Sequence, residues 1–494
     1  MTIIPFGPWL PDRASLETGA AMDALNVVPA LSGYKPFRAL STVTDALTAR
    51  VQGAFSCRNQ AGTIFNFAGD ATKLYHMEST GLTWDDVSRT SGGAYAAPSE
   101  GWWKFASFGN FAIACNGVDA TQGFEMGTDT DFSALAGSPP IASFVGTIKE
   151  FVVLARVSGA ASQLQWSAQG NCEDWAASAT TQSDSQTFPT GGYITGFVSG
   201  DAYALVFQER SIKRMVYTGP PTAFTFDEIT AEMGCTVEGS IASYEDRAFF
   251  KSQNGFYMIR GGAEIVPIGD GKIDKWFETN FDSNNAHRVS ATVDPTRQLY
   301  LVSFPSSSAS VGLPDTLLAY HWATGRWSRI AAEIELIYPA ALQSSYTIDG
   351  LASLSATIDG LVYPVDSLFY AGDGRFLLSG FSSLHKQGAF NGAYLNGYIE
   401  TGDVQLATGR KSLLRGFRPV VEGNIGASSI VVKSRDHQYE AHTASAPVNV
   451  NDYGYCPTRV NARYHRVGVN ITSSDTWENA IGIDDLKYTA MGFL

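Results

Sequence analysis

The chain has 494 residues, 44% of them hydrophobic and 17% charged, which is enough apolar side chain to build more than one core. Its 48 acidic against 34 basic side chains leave a formal charge of −14, which argues against a dedicated DNA or RNA binder, because such proteins draw affinity from neutralised phosphates. The 49 glycines and 12% aromatic residues favour turns and strands over helices, so the composition is all-β.

Residues 1–45 hold Pro5, Pro8, Pro11, Pro29 and Pro36 among isolated aromatics Phe6, Trp9, Tyr34 and Phe37. This reads as an extended arm whose aromatics need a surface, either the C-terminal domain or a neighbouring subunit. The spacing of Ala21, Met22, Leu25 and Val28 permits a short helical turn before Pro29.

From residue 46 a pattern of short alternating strands begins. VQGAFSCR, TIFNFAGD, KLYHMES and GLTWDDVS form one meander; WWKFASF, FAIACNG and GFEM a second; ASFVGTIKEFVVLARV and LQWSAQGNCEDW a third. Residues 193–217 and 240–267 are the clearest pair, with apolar inner strands at Ala204, Leu205, Val206, Phe207 and at Ala248, Phe249, Phe250. HRVSATVD, QLYLVSF and TLLAYHWATGRWSRI give a sixth, with its hairpin turn at Ala323, Thr324 and Gly325. Repeats roughly every 40 to 50 residues match the blade length of a β-propeller, in which each small sheet is covered by the next. A β-sandwich made of the same meanders is the competing architecture. Ile273, Trp276 and Phe277 predict one short amphipathic helix near 272–281, and 306–314 reads as an exposed, disordered tip.

Residues 337–394 are less regular and read either as a seventh blade or as a segment that closes the ring. From 395 to 494, YIETGDVQL, SLLRGFRPVVEG, SIVVKSRD, VNARYHRVGVNIT and GIDDLKYTAM predict a compact antiparallel sandwich. The fold expected is therefore an all-β protein with an extended arm at 1–45, propeller blades over 46–336, the irregular segment at 337–394, and a sandwich at 395–494. Six blades are expected, with a seventh open.

Enzyme motifs do not emerge: there is no G-x-S-x-G, H-E-x-x-H or C-x-x-C. The stretch from Thr408 to Ser412 has Arg410 where a phosphate loop needs glycine, and 270–274 lacks the alternating ligands of a calcium loop. A sialidase Asp-box is matched only by Gly81, Leu82, Thr83 and Trp84, so this Trp reads as a strand residue packing between blades. The five scattered cysteines read as reduced core residues, and the histidines as core or surface residues. No catalytic, cofactor or metal site is expected. Neither a signal peptide nor a stretch of membrane-spanning length is evident, so maturation without Sec-type export is expected.

Arg410, Lys411, Arg415 and Arg418, and then Arg459, Arg463 and Arg466, concentrate positive charge in the C-terminal part of an acidic chain. Two readings stay open for them, a charged docking face and a solvated strand face. The candidate partner contacts are Phe6, Trp9, Pro11, Arg410, Lys411, Arg415 and Arg418.

The segments LVFQERSIKRMVYTG and EMGCTVEGSIASYEDRAFFKSQNGFYMIRGGAEIVPIGDGKID resemble the tail-hub or nozzle protein of short-tailed bacteriophages, also called the packaged-DNA stabilisation protein. The N-terminal PDRASLETGAAMDALNVVPALSGYKPF and the C-terminal YIETGDVQL, LRGFRPVVEG and DTWENAIGIDD resemble the same family, so the likeness touches both ends and the middle. The resemblance implies a homo-hexameric ring in the virion tail, assembled in the host cytoplasm and hung below the portal and adaptor rings. It implies contacts with the head-to-tail adaptor and with spike, fibre or needle proteins, and packaged double-stranded DNA passing without sequence-specific binding. The acidic balance suits a conduit wall along which DNA slides without sticking. The alternative expectation is a carbohydrate-binding or glycan-cleaving propeller acting as a receptor-binding component.

Overall fold

The computed structural model describes residues 3–16, 19–78, 82–341, 351–352, 354–361, 365, 370 and 377–492. Seven four-stranded antiparallel meanders follow one another around a ring. Blade 1 is Gly53–Arg58, Ile64–Gly69, Leu74–Glu78 and Thr83–Asp86; blade 2 is Lys104–Phe108, Phe111–Cys115, Gln122–Glu125 and Ser133–Ala134. Blade 3 is Ala142–Ile148, Phe151–Val157, Ala160–Trp166 and Asp184–Thr187; blade 4 is Ile194–Val198, Ala204–Gln208, Ile212–Gly219 and Ala223–Thr230. Blade 5 is Ala242–Tyr244, Arg247–Ser252, Gly255–Arg260 and Glu264–Pro267, and blade 6 is Ser290–Asp294, Leu299–Phe304, Thr316–His321 and Arg326–Ala331.

The second strand of each blade explains the architecture. Phe151 to Ala155, Ala204 to Gln208 and Leu299 to Phe304 are buried without alternation, because each blade is covered on both faces by its neighbours. Aromatic pairs pack across the faces, as Phe207 with Phe250 at 5.2 Å and Phe249 with Tyr300 at 4.6 Å between ring centres. The anticipated tryptophan role is seen at Trp327, whose indole packs 5.4 Å from Phe256 of blade 5 and donates to the Ile268 carbonyl.

Blade 7 settles the irregular segment. Ile334–Ala340, Leu377–Ser382 and Lys386–Ala389 supply three strands, and the fourth is Ser41–Ala46 from the far end of the chain. Much of the stretch between its first two strands lies outside the described residues. The inner strand Ile334–Ala340 packs against the inner strand of blade 1, which closes the ring. Thr44 fastens the closure: its hydroxyl accepts from the Gln387 amide at 3.0 Å and from the Trp84 indole of blade 1 at 3.1 Å. The propeller thus spans 41–389, beginning before and ending well after the 46–336 anticipated for its blades.

The C-terminal sandwich is not made by residues 395–494 alone. One sheet orders Val27–Pro29, Tyr34–Pro36, Thr476–Ala490, Ser412–Asn424 and Cys456–Ala462, with Ile4–Pro5 paired onto Thr476–Ala490. The other contains Ala21–Leu25, Gly397–Thr401, Tyr464–Ile471 and Ser429–Arg435, and its Ala21–Leu25 strand also pairs in parallel with the outer strand of blade 6. Propeller and sandwich therefore share one ten-stranded sheet. The helical turn expected near Ala21 is a strand. A register shift between Ala21 and Asp23 puts Ala21 and Ala24 on the same buried side, reproducing the three-residue spacing of a helix.

The expected helix forms at Asp274–Asn280 between blades 5 and 6, burying Phe277. Asp12 of the arm accepts hydrogen bonds from the Lys275 and Trp276 amides, each at 2.8 Å, and so caps that helix from a distance. The anticipated disordered tip at 306–314 is instead a short turn pinned by Ser306, whose amide and hydroxyl both bond Asp315. All five cysteines are free and buried.

Candidate functional site at the upper mouth of the channel

Where the inner strands begin, the loops of blades 2, 3, 5 and 6 surround a pocket of about 410 Å³. Below it the channel wall mixes apolar side chains, Ala54, Phe105, Phe197, Ile241 and Ile337 among them, with Ser199, Ser243 and Ser290. The charge sits at the mouth, where Glu100, Lys104, Arg156, Glu238 and His287 line the pocket beside Trp102 and Phe144.

Each of these side chains is held by its blade. Trp103 is buried, donates to the Asp70 carbonyl at 2.8 Å and lies so close to Gly69 that a Cβ there would stand 2.5 Å from its ring. Its neighbour Trp102 lines the mouth and donates to the His287 carbonyl at 2.6 Å, tying blade 2 to blade 6. Lys104 opens the inner strand of blade 2; its ammonium is 5.8 Å from the centre of the Trp102 ring and 6.0 Å from that of Phe144. No carboxylate lies within ion-pair distance of it among the described residues, and burial pushes its pKa below the ordinary lysine value.

Arg156 occupies a bulge in the second strand of blade 3, with φ of 58°, a left-handed conformation that an arginine adopts at a cost. From there its guanidinium pairs with Glu238 at 2.5 Å and lies 4.8 Å over the Tyr193 ring of blade 4. Glu238 begins a single 3-10 turn, Glu238–Ser240, pinned by the Ser240 hydroxyl on the Val237 carbonyl and by the Tyr300 hydroxyl on the Ser240 carbonyl, both at 2.6 Å. Behind the mouth, Arg50 and Arg288 lie close to one another; burial, with the Arg288 charge adding to it, lowers the Arg50 pKa. Burial likewise lowers the pKa of His287. The arrangement offers a polar recess with aromatic rings beside it, in which Lys104 and Arg156 face Glu100 and Glu238, and Lys104 has no carboxylate within ion-pair distance among the described residues.

The residues singled out in the sequence fall elsewhere. Phe6 and Trp9, named as partner contacts, are each 1% exposed inside the chain's own core. Trp9 packs edge-on to Trp276 at 5.0 Å and donates to the Met22 carbonyl at 3.2 Å, so neither residue is available to another subunit. Pro11 is half-buried in the turn before Asp12. Arg410, Arg415 and Arg418 are exposed along one sandwich edge, Arg418 pairing with Asp485 at 3.2 Å and half-buried Lys411 with Asp436 at 2.6 Å. Arg466, grouped with Arg459 and Arg463 as a charged face, instead turns inward and binds Glu400 at 2.8 Å and Asp403 at 3.1 Å. Those two buried carboxylates also hold Lys433, Arg435, His442 and Ser15, an internal network that stitches the arm to the sandwich.

Trp84 of the partial Asp-box packs 5.7 Å from Phe381 of blade 7, Thr83 begins the same strand and Leu82 before it is buried, while Gly81 lies outside the described residues. Among the described residues no cluster of three His, Cys, Asp or Glu is placed to hold a metal, and no helix is long and apolar enough to cross a membrane. The channel-mouth pocket went unnoticed in the sequence because its titratable groups come from four blades. The legible signal was Trp102-Trp103-Lys104, a lysine at the head of an otherwise apolar inner strand.

No protein family matches the chain, nor does any curated protein. Solved structures that resemble it are distant in sequence. An extracellular domain from B. thetaiotaomicron assigned to a one-component system is 10% identical, with a TM-score of 0.42 over 83% of this chain and 47% of that one. The chain thus spans about half the length of that structure. YCF48, solved bound to a D1 peptide, is 12% identical, with a TM-score of 0.35 over 61% of this chain and 87% of that one. BamB from Moraxella catarrhalis is 10% identical, with a TM-score of 0.35 over 64% of this chain and 88% of that one.

Proposed function

We propose that the chain is a virion structural protein of a short-tailed phage, a nozzle or tail-hub subunit that forms a hexameric ring below the portal and adaptor. In that role the ring continues the DNA channel, helps retain the packaged genome and anchors spike, fibre or needle proteins. The observation that carries the reading is the ten-stranded sheet running from blade 6 into the sandwich. At that junction Arg329 pairs bidentately with Asp23 at 2.9 and 2.7 Å, and Asn26 bonds the backbone of the same blade strand twice. A subunit that must hold a pressurised channel in register benefits from two domains that cannot hinge, and a shared sheet removes the hinge. The sequence likeness at both ends and in the middle supports the same role. Electron microscopy of the purified chain, alone and with an adaptor ring, tests it: closed six-fold rings are expected, and monomers under every condition would overturn it.

A second reading is favoured by the channel-mouth pocket: a carbohydrate-binding or glycan-cleaving propeller that serves as a receptor-binding component. Aromatic rings beside a few fixed charges are what a sugar site uses. A glycan screen separates the two, since saturable binding or hydrolysis without ring formation would favour the second.

A further inference from the structure

We propose that the upper mouth of the channel binds an acidic monosaccharide of the hexuronate class, its carboxylate on Lys104 and its ring against Trp102. The inference deepens the second reading by naming the ligand class, and it does not depend on ring assembly.

The argument begins with charge. In a chain of formal charge −14, the mouth gathers Lys104 and Arg156 on its wall and Arg50 and Arg288 behind it, against the carboxylates Glu100 and Glu238. Arg156 and Glu238 satisfy one another. Arg50 donates to the Ser99 carbonyl at 2.6 Å. Lys104 has the Trp102 and Phe144 rings beside it and feels the Glu238 charge, yet no carboxylate stands within ion-pair distance of it among the described residues, and desolvation penalises its charge. A partly buried ammonium is completed by an anion, and a single carboxylate balances its single charge.

Shape narrows the class. The recess of about 410 Å³ accommodates a single sugar ring with its ordered water. Trp102 lines it and is locked by its bond to His287, so an aromatic platform is in place before any ligand arrives. The bulge that turns Arg156 inward fixes a second donor at the rim, and Glu238 keeps that guanidinium from competing for the ligand's carboxylate.

The test uses the full-length chain, with glucuronate, glucose, acetate and inorganic phosphate titrated calorimetrically against the wild type and against Lys104→Met. Glucuronate is expected to bind at least about tenfold more tightly than glucose, with acetate competing weakly, and Lys104→Met to lose that preference. Lys149→Met, in an exposed turn of blade 3 outside the recess, is expected to leave it unchanged. Reductively methylated protein gives a second readout, because carboxylate binding should raise the Lys104 pKa seen by carbon NMR. Should Lys104→Met fold poorly, Lys104→Gln replaces it. Equal binding of glucose and glucuronate, an unaffected Lys104→Met, phosphate binding as tightly as glucuronate, or no saturable binding would each overturn the inference. Binding of other glycans without glucuronate would overturn it while leaving the second reading standing.

Discussion

Trp9→Ala separates the two uses the sequence allowed for the N-terminal arm. Trp9 is 1% exposed, packs against Trp276 beside the connector helix, and donates one hydrogen bond to the Met22 carbonyl. Truncating a fully buried tryptophan removes its transfer free energy and leaves a cavity, a loss of about 3–5 kcal/mol, of which the aromatic pair accounts for about 1 kcal/mol. Against a total stability on the order of 5–15 kcal/mol, that is a large fraction. The core affected joins the arm and the sandwich to blades 5 and 6, and a change of this size lowers the melting temperature by about 10 °C. Calorimetry of the single chain is the assay, at concentrations below any ring formation. If the sandwich transition were unmoved while ring formation was lost, Trp9 would be a contact between subunits and the buried-arm assignment would be refuted. The same logic covers removal of residues 1–20, which takes away Phe6, Trp9, Asp12 and Ser15 together; the sandwich should unfold while the strand Ser41–Ala46 still closes the propeller.

Thr44→Val keeps the shape of the closing strand but removes the acceptor shared by Trp84 and Gln387. Leaving two buried donors unpaired should cost about 2–3 kcal/mol, with faster amide exchange concentrated in blades 7 and 1; uniform exchange would argue that closure lies elsewhere. Asp274 carries a pH signature: burial raises its carboxyl pKa from the ordinary value to about 6, even though it accepts from the Phe256 amide at 3.1 Å. A carboxyl with a raised native pKa binds its proton more tightly folded than unfolded, so its contribution is complete below about pH 4 and is lost as pH rises through 6. Asp274→Asn, which retains the acceptor, should flatten stability between pH 4 and 6 by at most about 2 kcal/mol; denaturant midpoints at pH 4.5 and 7 that keep the wild-type difference would contradict this.

Blade 5 and the first three strands of blade 4 were legible because each is a local unit of strands of three to eight residues, tight polar turns and partners within one hairpin, whereas the fourth strand of blade 4, Ala223–Thr230, read as loop. Blade 7 was not, since its outer strand, Ser41–Ala46, pairs with Lys386–Ala389 across more than three hundred residues of chain. Nothing in the local alternation of either segment names the other. The arm failed for a related reason. Its strands Ala21–Leu25 and Val27–Pro29 belong to opposite sheets of the sandwich, with Asn26 turning between them at φ 58°. A segment that changes sheets at one residue, with a bulge besides, carries neither a strand period nor a helix period long enough to read. Charge clusters misled in the same way, for Arg466 sits among exposed arginines in sequence but opposite Glu400 and Asp403 in space.

These long-range pairings bear on how the molecule works. Residues 3–46 touch the connector helix through Asp12, blade 6 through Asp23 and Asn26, both sandwich sheets through their strands, and blade 7 through Thr44. One continuous arm thereby fastens the ring closure, the propeller-to-sandwich junction and the sandwich core. Loosening it at Trp9 should be felt first around the sandwich and the connector helix and loosening it at Thr44 first in the ring, because the Asp23–Arg329 pair anchors the arm to blade 6 between them. The channel mouth lies at blades 2, 3, 5 and 6, and among the described residues no side-chain hydrogen bond or ion pair joins its lining to the arm. The ligand binding proposed there and the rigidity of the frame are therefore separable by mutation, which allows either to be tested with the other intact.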